Sequence, residues 1–287
     1  AIKWVSRNIA AFGGDPKRVM IYGESAGATS VSVQTVLPSS FGFFQRAAID
    51  SGAFNLWTSK PWQDAVDVYS NVTATLGCTA WSDPLQCMLT KDTRTLVSVS
   101  DSYYGNASCG HNGGCSRLPH PETIVNTQWG PVVDGELLSA SPPELLRQGK
   151  VAPNVDFLIG SNRNEGSSFL PTARYPLFIS DASEFADWAA ITFGDVVGPR
   201  VEALYVPEPM AATNTTELPG GVDYRYLYAA QEAVGDFILH CPTRRAARIL
   251  SATAMPHNSS TANTTRRRVF AYTFDHAPRM SLNFGDP

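Results

Sequence analysis

The chain has 287 residues, a formal net charge of −4, 43% hydrophobic residues and only 17% charged residues. This length and apolar content provide a sizeable core, and the low charged fraction excludes extensive disorder. The mild acidity argues against a nucleic-acid partner, and no apolar run reaches the roughly 18 residues of a membrane span. The one basic run, Arg266, Arg267 and Arg268, is interpreted as a solvated approach to a strand.

Hydrophobic periodicity divides the chain into short apolar runs and longer stretches of helical spacing. The predicted elements are, in order, a helix over 1–12, a strand over 18–22, a helix over 28–36, a strand over 47–50, a helix over 62–76, a hairpin over 129–138, a helix over 143–148, a strand over 155–160, helices over 185–193, 197–205 and 224–250, and a strand over 269–274. The hairpin would turn at Asp134 and Gly135, and Cys241 and Pro242 interrupt the longest helix. This alternation predicts an α/β fold with a mostly parallel central sheet flanked by helices.

The sequence Gly23-Glu24-Ser25-Ala26-Gly27 fits the pattern G-x-S-x-G and stands between a predicted strand and a predicted helix. In that position it indicates a nucleophile elbow, a tight turn that lifts the serine hydroxyl above the sheet. We expect glycine at both ends because side chains there would collide with the strand and the helix. The backbone N–H of Ala26 would be one oxyanion donor. The alternative is a tight turn in which Ser25 serves only as a helix N-cap.

A serine nucleophile needs a histidine base and a carboxylate that orients the base, in the chain order serine, acid, histidine. Glu165 follows the predicted strand over 155–160 and satisfies that order; a solvated loop carboxylate is the alternative. Among the five histidines, His276 is the best internal candidate because it follows the strand over 269–274. The others have ordinary surface or core interpretations, and they are His111, His120, His240 and His257.

Cysteines and N-glycosylation sequons favour an oxidising, secretory route. The close cysteine pairs, each predicted to form a disulfide, are Cys78 with Cys87 and Cys109 with Cys115. The sequons begin at Asn71, Asn106, Asn214, Asn258 and Asn263. Cys241 is the odd cysteine, either a buried free thiol or one whose partner lies outside this chain. No Cys-x-x-Cys occurs and no two histidines have ligand spacing, so the sequence predicts neither a metal site nor a cofactor.

Matching segments run in one order across nearly the whole chain, at 8–16, 23–27, 51–52, 131–136, 164–167 and 234–236. Together they resemble the type B carboxylesterase/cholinesterase family. The resemblance implies an α/β-hydrolase fold, with Ser25 as the nucleophile and Glu165 as the triad acid. It also implies that Glu24 is a buried acid beside the nucleophile and that Ser51 is a supporting hydroxyl.

The resemblance further implies a single partial domain over residues 1–287, the middle of a longer enzyme truncated at both ends. The family's oxyanion loop lies upstream of the elbow, and its catalytic histidine lies downstream of the segment around His276. We therefore expect the catalytic histidine outside this chain. Cys78 and Cys87 match one family disulfide, and Cys241 matches a cysteine whose partner lies beyond residue 287.

Family positions also indicate the substrate pocket. Trp57 and Phe169 match positions that line the family's gorge, with ordinary core aromatics as the alternative. Val125 and Thr127 stand where cholinesterases place bulky aromatics, so the resemblance implies room for medium acyl chains rather than a tight acetyl pocket.

The function expected from these features is a secreted serine carboxylesterase that forms an acyl-enzyme with small, uncharged esters. One alternative is a catalytically inactive, cholinesterase-like adhesion protein, which the presence of Ser25 and Glu165 disfavours. Another is a triacylglycerol lipase. No sequence feature indicates an oligomeric state.

Overall fold

The computed structural model describes residues 1–108, 129–170, 179, 181–206, 224–252 and 267–276. Its helices are α1 (Ile2–Asn8), α2 (Ala26–Val36), α3 (Trp62–Thr75), α4 (Pro84–Leu89), α5 (Thr93–Ser108), α6 (Pro142–Arg147), α7 (Ala182–Tyr205), α8 (Tyr224–Gly235) and α9 (Cys241–Ala252). Its strands are β1 (Met20–Glu24), β2 (Arg46–Asp50), β3 (Lys60–Pro61), β4 (Val132–Val133), β5 (Asp156–Asn162) and β6 (Val269–Phe274). Short 3₁₀ helices cover Ile9–Phe12, Pro38–Ser40, Leu56–Thr58 and Glu165–Ser168, and a π-helix over Asp236–His240 joins α8 to α9.

The central sheet has the strand order β1-β2-β5-β6, and all three pairings are parallel. Glu24 lies opposite Asp50, which lies opposite Gly160, so these strands end at one edge. Helices α2, α6 and α9 contribute buried residues to one core with β2 and β5, including Ala28, Ile49 and Phe157. The predicted α/β class, with a parallel sheet flanked by helices, is confirmed.

Strand β1 differs from its prediction in position and in burial. The apolar run predicted a buried strand over 18–22, whereas the strand is Met20–Glu24 and alternates exposed and covered residues. Met20 is 57% exposed and Tyr22 64% exposed. Successive side chains of a strand point to opposite faces, so the alternation shows that one face of β1 is covered and the other is exposed. β1 is also an edge strand, since no other strand in the described part of the chain pairs with its outer side.

The predicted hairpin over 129–138 is wrong. Strand β4 pairs in parallel with β3, through Lys60 opposite Val132, instead of pairing with a strand that follows it. The side chain of Asp134 accepts the backbone N–H groups of Glu136, Leu137 and Leu138 at 2.9–3.0 Å. These bonds form a compact turn that replaces the second arm of the hairpin.

The helices of the second half form a separate core. Its buried members come mainly from α7 and α8, including Phe185, Ala189 and Leu227. The two helices predicted over 185–193 and 197–205 lie within α7, which is kinked between them at Gly194, where the backbone is non-helical. None of the helices in the described ranges combines the length and apolar character needed to span a bilayer.

The predicted Cys78–Cys87 disulfide is present, with a Cα–Cα distance of 5.5 Å, and both cysteines are fully buried. Cys109 and Cys115 lie outside the described residues. Cys241 is an exposed free cysteine, so its interpretation as a buried thiol is wrong.

The interpretation of the basic run as solvated is wrong at Arg267, which is partly buried, and agrees with the structure at Arg268, which is exposed. Arg267 Nη2 donates to the Ala152 carbonyl at 2.9 Å, and its guanidinium lies 5.5 Å from the Phe157 ring centroid. Arg268 pairs with Asp156 at 2.6 Å. Both arginines therefore fasten the start of β6 to the start of β5.

Candidate active site

Ser25 occupies a strained turn at the carboxyl end of β1. Its φ and ψ are 53° and −117°, in the left-handed half of the map that costs a non-glycine residue about 1–3 kcal/mol. The Ser25 N–H donates to the Asp50 carbonyl at 3.0 Å, which holds the turn against the next strand. The turn occupies the position that the sequence predicted for a nucleophile elbow.

The two glycines of the elbow are not equivalent. A Cβ on Gly23 would overlap the backbone carbonyl of Gly27, so strand and helix approach too closely there for any side chain. A Cβ on Gly27 would meet no atom of the described residues within 4 Å. The steric expectation therefore agrees with the structure at Gly23 and is wrong at Gly27.

The side chain of Ser25 does not cap α2. Within the described residues it makes no capping hydrogen bond, although Ser25 occupies the N-cap position. The first amide that bonds back into the helix is that of Thr29, which donates to the Ser25 carbonyl at 3.0 Å. The preceding amides, that of Ala26 included, lack an intrahelical acceptor and lie at the positive end of the helix.

The carboxylate of Glu165 is buried and hydrogen-bonded, with only 7% of the residue exposed. Its Oε1 accepts the Ser51 hydroxyl and the Asn162 backbone N–H, both at 2.6 Å. Its Oε2 accepts the Asn162 side-chain amide at 3.4 Å. The alternative of a solvated loop carboxylate is therefore wrong, because three donors fix this acid beneath the surface.

Close backbone packing fixes the turn that carries this acid. A Cβ on Gly166 would overlap the carbonyl of Gln231, and one on Gly235 would lie 2.8 Å from the Gly166 nitrogen. The 3₁₀ helix that begins at Glu165 therefore lies directly against α8. The Gln231 side chain also donates to the Leu170 carbonyl at 2.6 Å, which holds the end of the same turn.

Ser51 follows β2 as Ser25 follows β1. Its φ is also 53°, and its N–H donates to the Gly160 carbonyl at 2.9 Å. Ser51 is only 3% exposed, and its hydroxyl points to Glu165. The structure therefore joins Ser51 to Glu165 by a hydrogen bond, and the supporting role that the resemblance implied for Ser51 stays a prediction.

Glu24 is exposed, so the expectation of a buried acid is wrong in the described chain. It lies on edge strand β1, which leaves one side of the residue uncovered. Partial desolvation raises the pKa of Glu24, and the negative charges of Asp50 and Glu165 raise it further. The residue lies among acids at the carboxyl edge of the sheet.

Trp57 and Phe169 are in contact, with ring centroids 6.1 Å apart. Both are partly buried against the core of α7 and α8. The other two predicted pocket residues, Val125 and Thr127, lie outside the described part of the chain. The aromatic pair therefore connects the turn after β2 to the turn after β5.

The predicted glycosylation sites are only partly described. Asn71 is exposed on α3, and Asn106 belongs to the backbone of α5. The remaining sequons lie outside the described residues, at Asn214, Asn258 and Asn263. Among the residues that are described, no group of histidine, cysteine and carboxylate side chains could hold a metal ion.

His276 does not reach the elbow. It is exposed at the end of β6, and its ring lies edge-on to Phe274 with centroids 6.3 Å apart. No hydrogen bond links it to Ser25 or Glu165 within the described ranges. His111, His120 and His257 lie outside those ranges.

His240 is the histidine that sequence reasoning passed over. Its Nδ1 lies 2.8 Å from Asp236 Oδ1, and its Nε2 lies 2.5 Å from the carbonyl oxygen of Asn162. The hydrogen bond to Asp236 raises the pKa of His240, as do the Asn162 carbonyl and the charges of Asp236 and Glu165, while burial opposes them. The four-residue spacing of Asp236 and His240 is the signal that could have identified the pair.

The amino-acid sequence of the chain is similar to those of known proteins. The model of the carboxylesterase family matches residues 1–287. The chain is 35% identical to "Cholinesterase" from Mus musculus over 174 residues, 59% of this chain and 26% of that protein. It is 30% identical to "Cholinesterase 1" from Branchiostoma lanceolatum over 246 residues, 85% of this chain and 66% of that protein. The matched segments thus span about a quarter and just under two thirds of these relatives.

Proposed function

The chain belongs to the carboxylesterase family, and from that premise we propose that it is the central part of a serine hydrolase that cleaves carboxylic esters. The observation that carries the proposal is the strained turn at Ser25. Its hydroxyl is not used for capping, and it stands at the same sheet edge as the buried carboxylate of Glu165.

In the proposed reaction, Ser25 Oγ forms a bond to the carbonyl carbon of the ester. Its proton passes to a histidine outside this chain, and that histidine returns a proton to the alcohol oxygen as the ester C–O bond breaks. Water then attacks the acyl-enzyme, which releases the carboxylic acid and restores the Ser25 hydroxyl. The Ala26 N–H is the proposed donor to the oxyanion of each tetrahedral intermediate.

Glu165 is the proposed acid that orients this histidine. Strands β1 and β5 are separated by β2, so the turns that follow them are about 10 Å apart at ordinary strand spacing. That gap admits an imidazole ring between Ser25 and Glu165. The bonds from Ser51 and Asn162 hold the carboxylate in one position, which is what an orienting acid requires.

The proposed substrates are small, uncharged esters with medium acyl chains. The contact between Trp57 and Phe169 supports an apolar wall beside the turn that carries Glu165. Val125 and Thr127 support a wider acyl side of the pocket, because they stand at positions where cholinesterases place bulky aromatics. A kcat/KM series over acetyl, butyryl and hexanoyl esters of one alcohol tests this, and a steep fall from acetyl to butyryl contradicts it.

We propose a secretory location for the protein. The Cys78–Cys87 disulfide and the exposed sequon at Asn71 support it. The second proposed disulfide is Cys109–Cys115, and the other proposed glycans are at Asn106, Asn214, Asn258 and Asn263. Non-reducing peptide mapping of secreted protein tests the bonds, and free thiols at Cys109 and Cys115 contradict the second one.

The proposed nucleophile is tested by treating the full-length protein with an organophosphonate and mapping the adduct by mass spectrometry. We expect the adduct on Ser25, in wild type and in a Ser30→Ala control, which removes an exposed serine from the same helix. An adduct elsewhere that abolishes ester hydrolysis contradicts the assignment. Absence of both adduct and hydrolysis favours the adhesion-protein alternative.

We propose that residues 1–287 expressed alone do not turn over esters. Neither His240 nor His276 makes a hydrogen bond to Ser25 in the described part of the chain, so the base is not supplied there. The test is hydrolysis of an activated ester by this segment, with Ser25→Ala as the control. Saturable turnover that requires both Ser25 and His276 contradicts the proposal.

A further inference from the structure

Both ring nitrogens of His240 meet hydrogen-bond acceptors. Nδ1 meets the Asp236 carboxylate at 2.8 Å, and Nε2 meets the Asn162 carbonyl at 2.5 Å. A neutral imidazole has one donor nitrogen and one acceptor nitrogen, whereas the imidazolium has two donors. Only the doubly protonated ring therefore satisfies both contacts. We call the three residues that these contacts join, His240, Asp236 and Asn162, the His240 bridge.

The His240 bridge ends at a residue that binds Glu165. Asn162 accepts from His240 through its carbonyl, while its own N–H donates to Glu165 Oε1 at 2.6 Å. Asn162 is also the last residue of β5, so it is where the regular ladder stops and the turn that carries the acid begins. The His240 bridge thus holds the base of that turn from the helical side.

We propose that His240 is a positioning residue for Glu165: its doubly protonated ring joins Asp236 to the Asn162 carbonyl and fixes the turn that binds the acid, and loss of one ring proton loosens that turn. The inference rests on the proposed role of Glu165 as the orienting acid. His240 itself touches neither substrate nor nucleophile in this scheme.

The groups around His240 favour the protonated ring, and the ring also lines a cavity that is open to water. A cavity of about 410 Å³ lies between α9, β5 and β6, and His240 is among its lining residues. The charged and titratable groups that line this cavity with His240 are Asp236, Arg163, Arg244 and Tyr272, and the charge of Glu165 also acts on the ring. Tyr205 donates to the second oxygen of Asp236 at 2.7 Å, which holds that carboxylate in place from α7.

The His240 bridge predicts a pH signature. A triad histidine acts as a base, so its protonation lowers activity on the acid side of the profile. Deprotonation of His240 instead lowers activity on the alkaline side, because one of its two donors is lost and the Asn162 turn is released. The effect is on kcat, with KM little changed, since His240 does not contact substrate.

The test measures kcat and KM from pH 5 to pH 10 in the full-length protein and three variants. His240→Gln should lower kcat about tenfold at pH 7 and abolish the alkaline decline. Asp236→Asn should keep kcat near wild type at pH 7 and also abolish the decline, because a neutral histidine can accept from the new amide and still donate to Asn162. His276→Gln, an exposed histidine at the end of β6, should behave as wild type throughout.

A second measurement does not depend on ester hydrolysis. Hydrogen exchange of the Asn162 amide, corrected for intrinsic rates, should become about tenfold faster as His240 loses its proton, in Ser25→Ala protein as well. Asp236→Asn should remove this change. If the protein hydrolyses no ester, the proposed function fails, yet this exchange step still supports the His240 bridge by its presence or overturns it by its absence.

Two results overturn the inference. One is a His240→Gln variant that keeps the wild-type alkaline decline in kcat. The other is an equal loss of kcat at every pH in both His240→Gln and Asp236→Asn, which indicates a general packing role instead of a proton-dependent one.

Discussion

Ser25 and Ser51 occupy the same backbone turn on neighbouring strands and differ in almost everything else. Both have a φ of 53°, and each donates its N–H to the carbonyl of the next strand, at 3.0 Å and 2.9 Å. Ser25 is exposed and its side chain makes no capping bond among the described residues. Ser51 is 3% exposed and donates its hydroxyl to Glu165.

The difference follows from the position of each strand in the sheet. β1 is the edge of the described sheet, so the turn after it opens outward. β2 lies between β1 and β5, so the turn after it is covered and faces Glu165. In both cases a strained turn lifts a serine hydroxyl above the end of a strand. The elements around the turn determine whether that hydroxyl is exposed to a substrate or hydrogen-bonded to a buried acid.

The largest difference between the two turns should appear when each hydroxyl is removed, beginning with Ser25→Ala. We expect kcat for an ester to fall about 10³-fold or more, because only the oxyanion donor and substrate binding remain. The free energy of unfolding should change by less than about 0.5 kcal/mol, since an exposed hydroxyl without a capping bond is lost. Steady-state kinetics and urea denaturation measure the two effects. A retained kcat contradicts the nucleophile assignment.

The turn at Ser25 can also be broken through its glycines. Gly23→Ala should destabilise the protein by about 3 kcal/mol, because its Cβ would overlap the Gly27 backbone, which cannot move without displacing α2. Gly27→Ala is the matched control, since its Cβ enters open space among the described residues, and alanine favours a helix by up to about 1 kcal/mol. Urea denaturation of both variants measures the contrast. Equal destabilisation contradicts the close approach at Gly23.

Ser51→Ala should give the intermediate effect. It removes one donor from a buried carboxylate while the Asn162 N–H remains, so we expect a loss of about 1–3 kcal/mol in stability and about tenfold in kcat. The control is a double-mutant cycle with Glu165→Gln, which should show that the two losses are coupled. Additive losses indicate that Ser51 does not act through Glu165.

Local patterns predicted most of the elements and identified Ser25 and Glu165, the proposed nucleophile and acid. Strand β6 has its predicted bounds, because an apolar run followed by polar residues is a local signal. Ser25 and Glu165 were found because each follows a predicted strand directly. The exposure of β1 and the pairing of β4 with β3 were not predicted, since both depend on which strands are neighbours in space.

The supporting contacts of the site were less accessible to sequence reasoning. Ser51 and Glu165 are 114 positions apart, and His240 and Asn162 are 78 apart, so no short spacing marks either pair. Ser51 was identified only through a family resemblance. Asp236 and His240 do have a local spacing, but i,i+4 acid–histidine pairs are common on helices and do not by themselves indicate a partner on another element.

The smallest predicted effect is a pH dependence of the free energy of unfolding. It bears on the comparison of the two serine turns because the His240 bridge contacts Asn162, which binds Glu165, and not the Ser25 turn. The hydrogen bond to Asp236 raises the pKa of His240 above its usual 6.5, and the hydrogen bond to His240 lowers the pKa of Asp236 below its usual 3.8. A raised histidine pKa adds stability that is complete below 6.5 and is lost as the pH rises through the folded value. A lowered aspartate pKa adds stability above 3.8 that is lost as the pH falls through the folded value.

The pair should therefore stabilise the fold most between about pH 4 and pH 6.5, by about 0.5–1 kcal/mol, because water screens the partly exposed side chains. The measurement is the free energy of unfolding of wild type minus that of His240→Gln, from pH 5 to pH 9. We expect this difference to be constant up to pH 6.5 and to shrink above it, while the difference for His276→Gln stays near zero. A His240→Gln difference that is flat to pH 9 means that folding does not raise the pKa of His240, and the two serine turns would then be distinguished by burial alone.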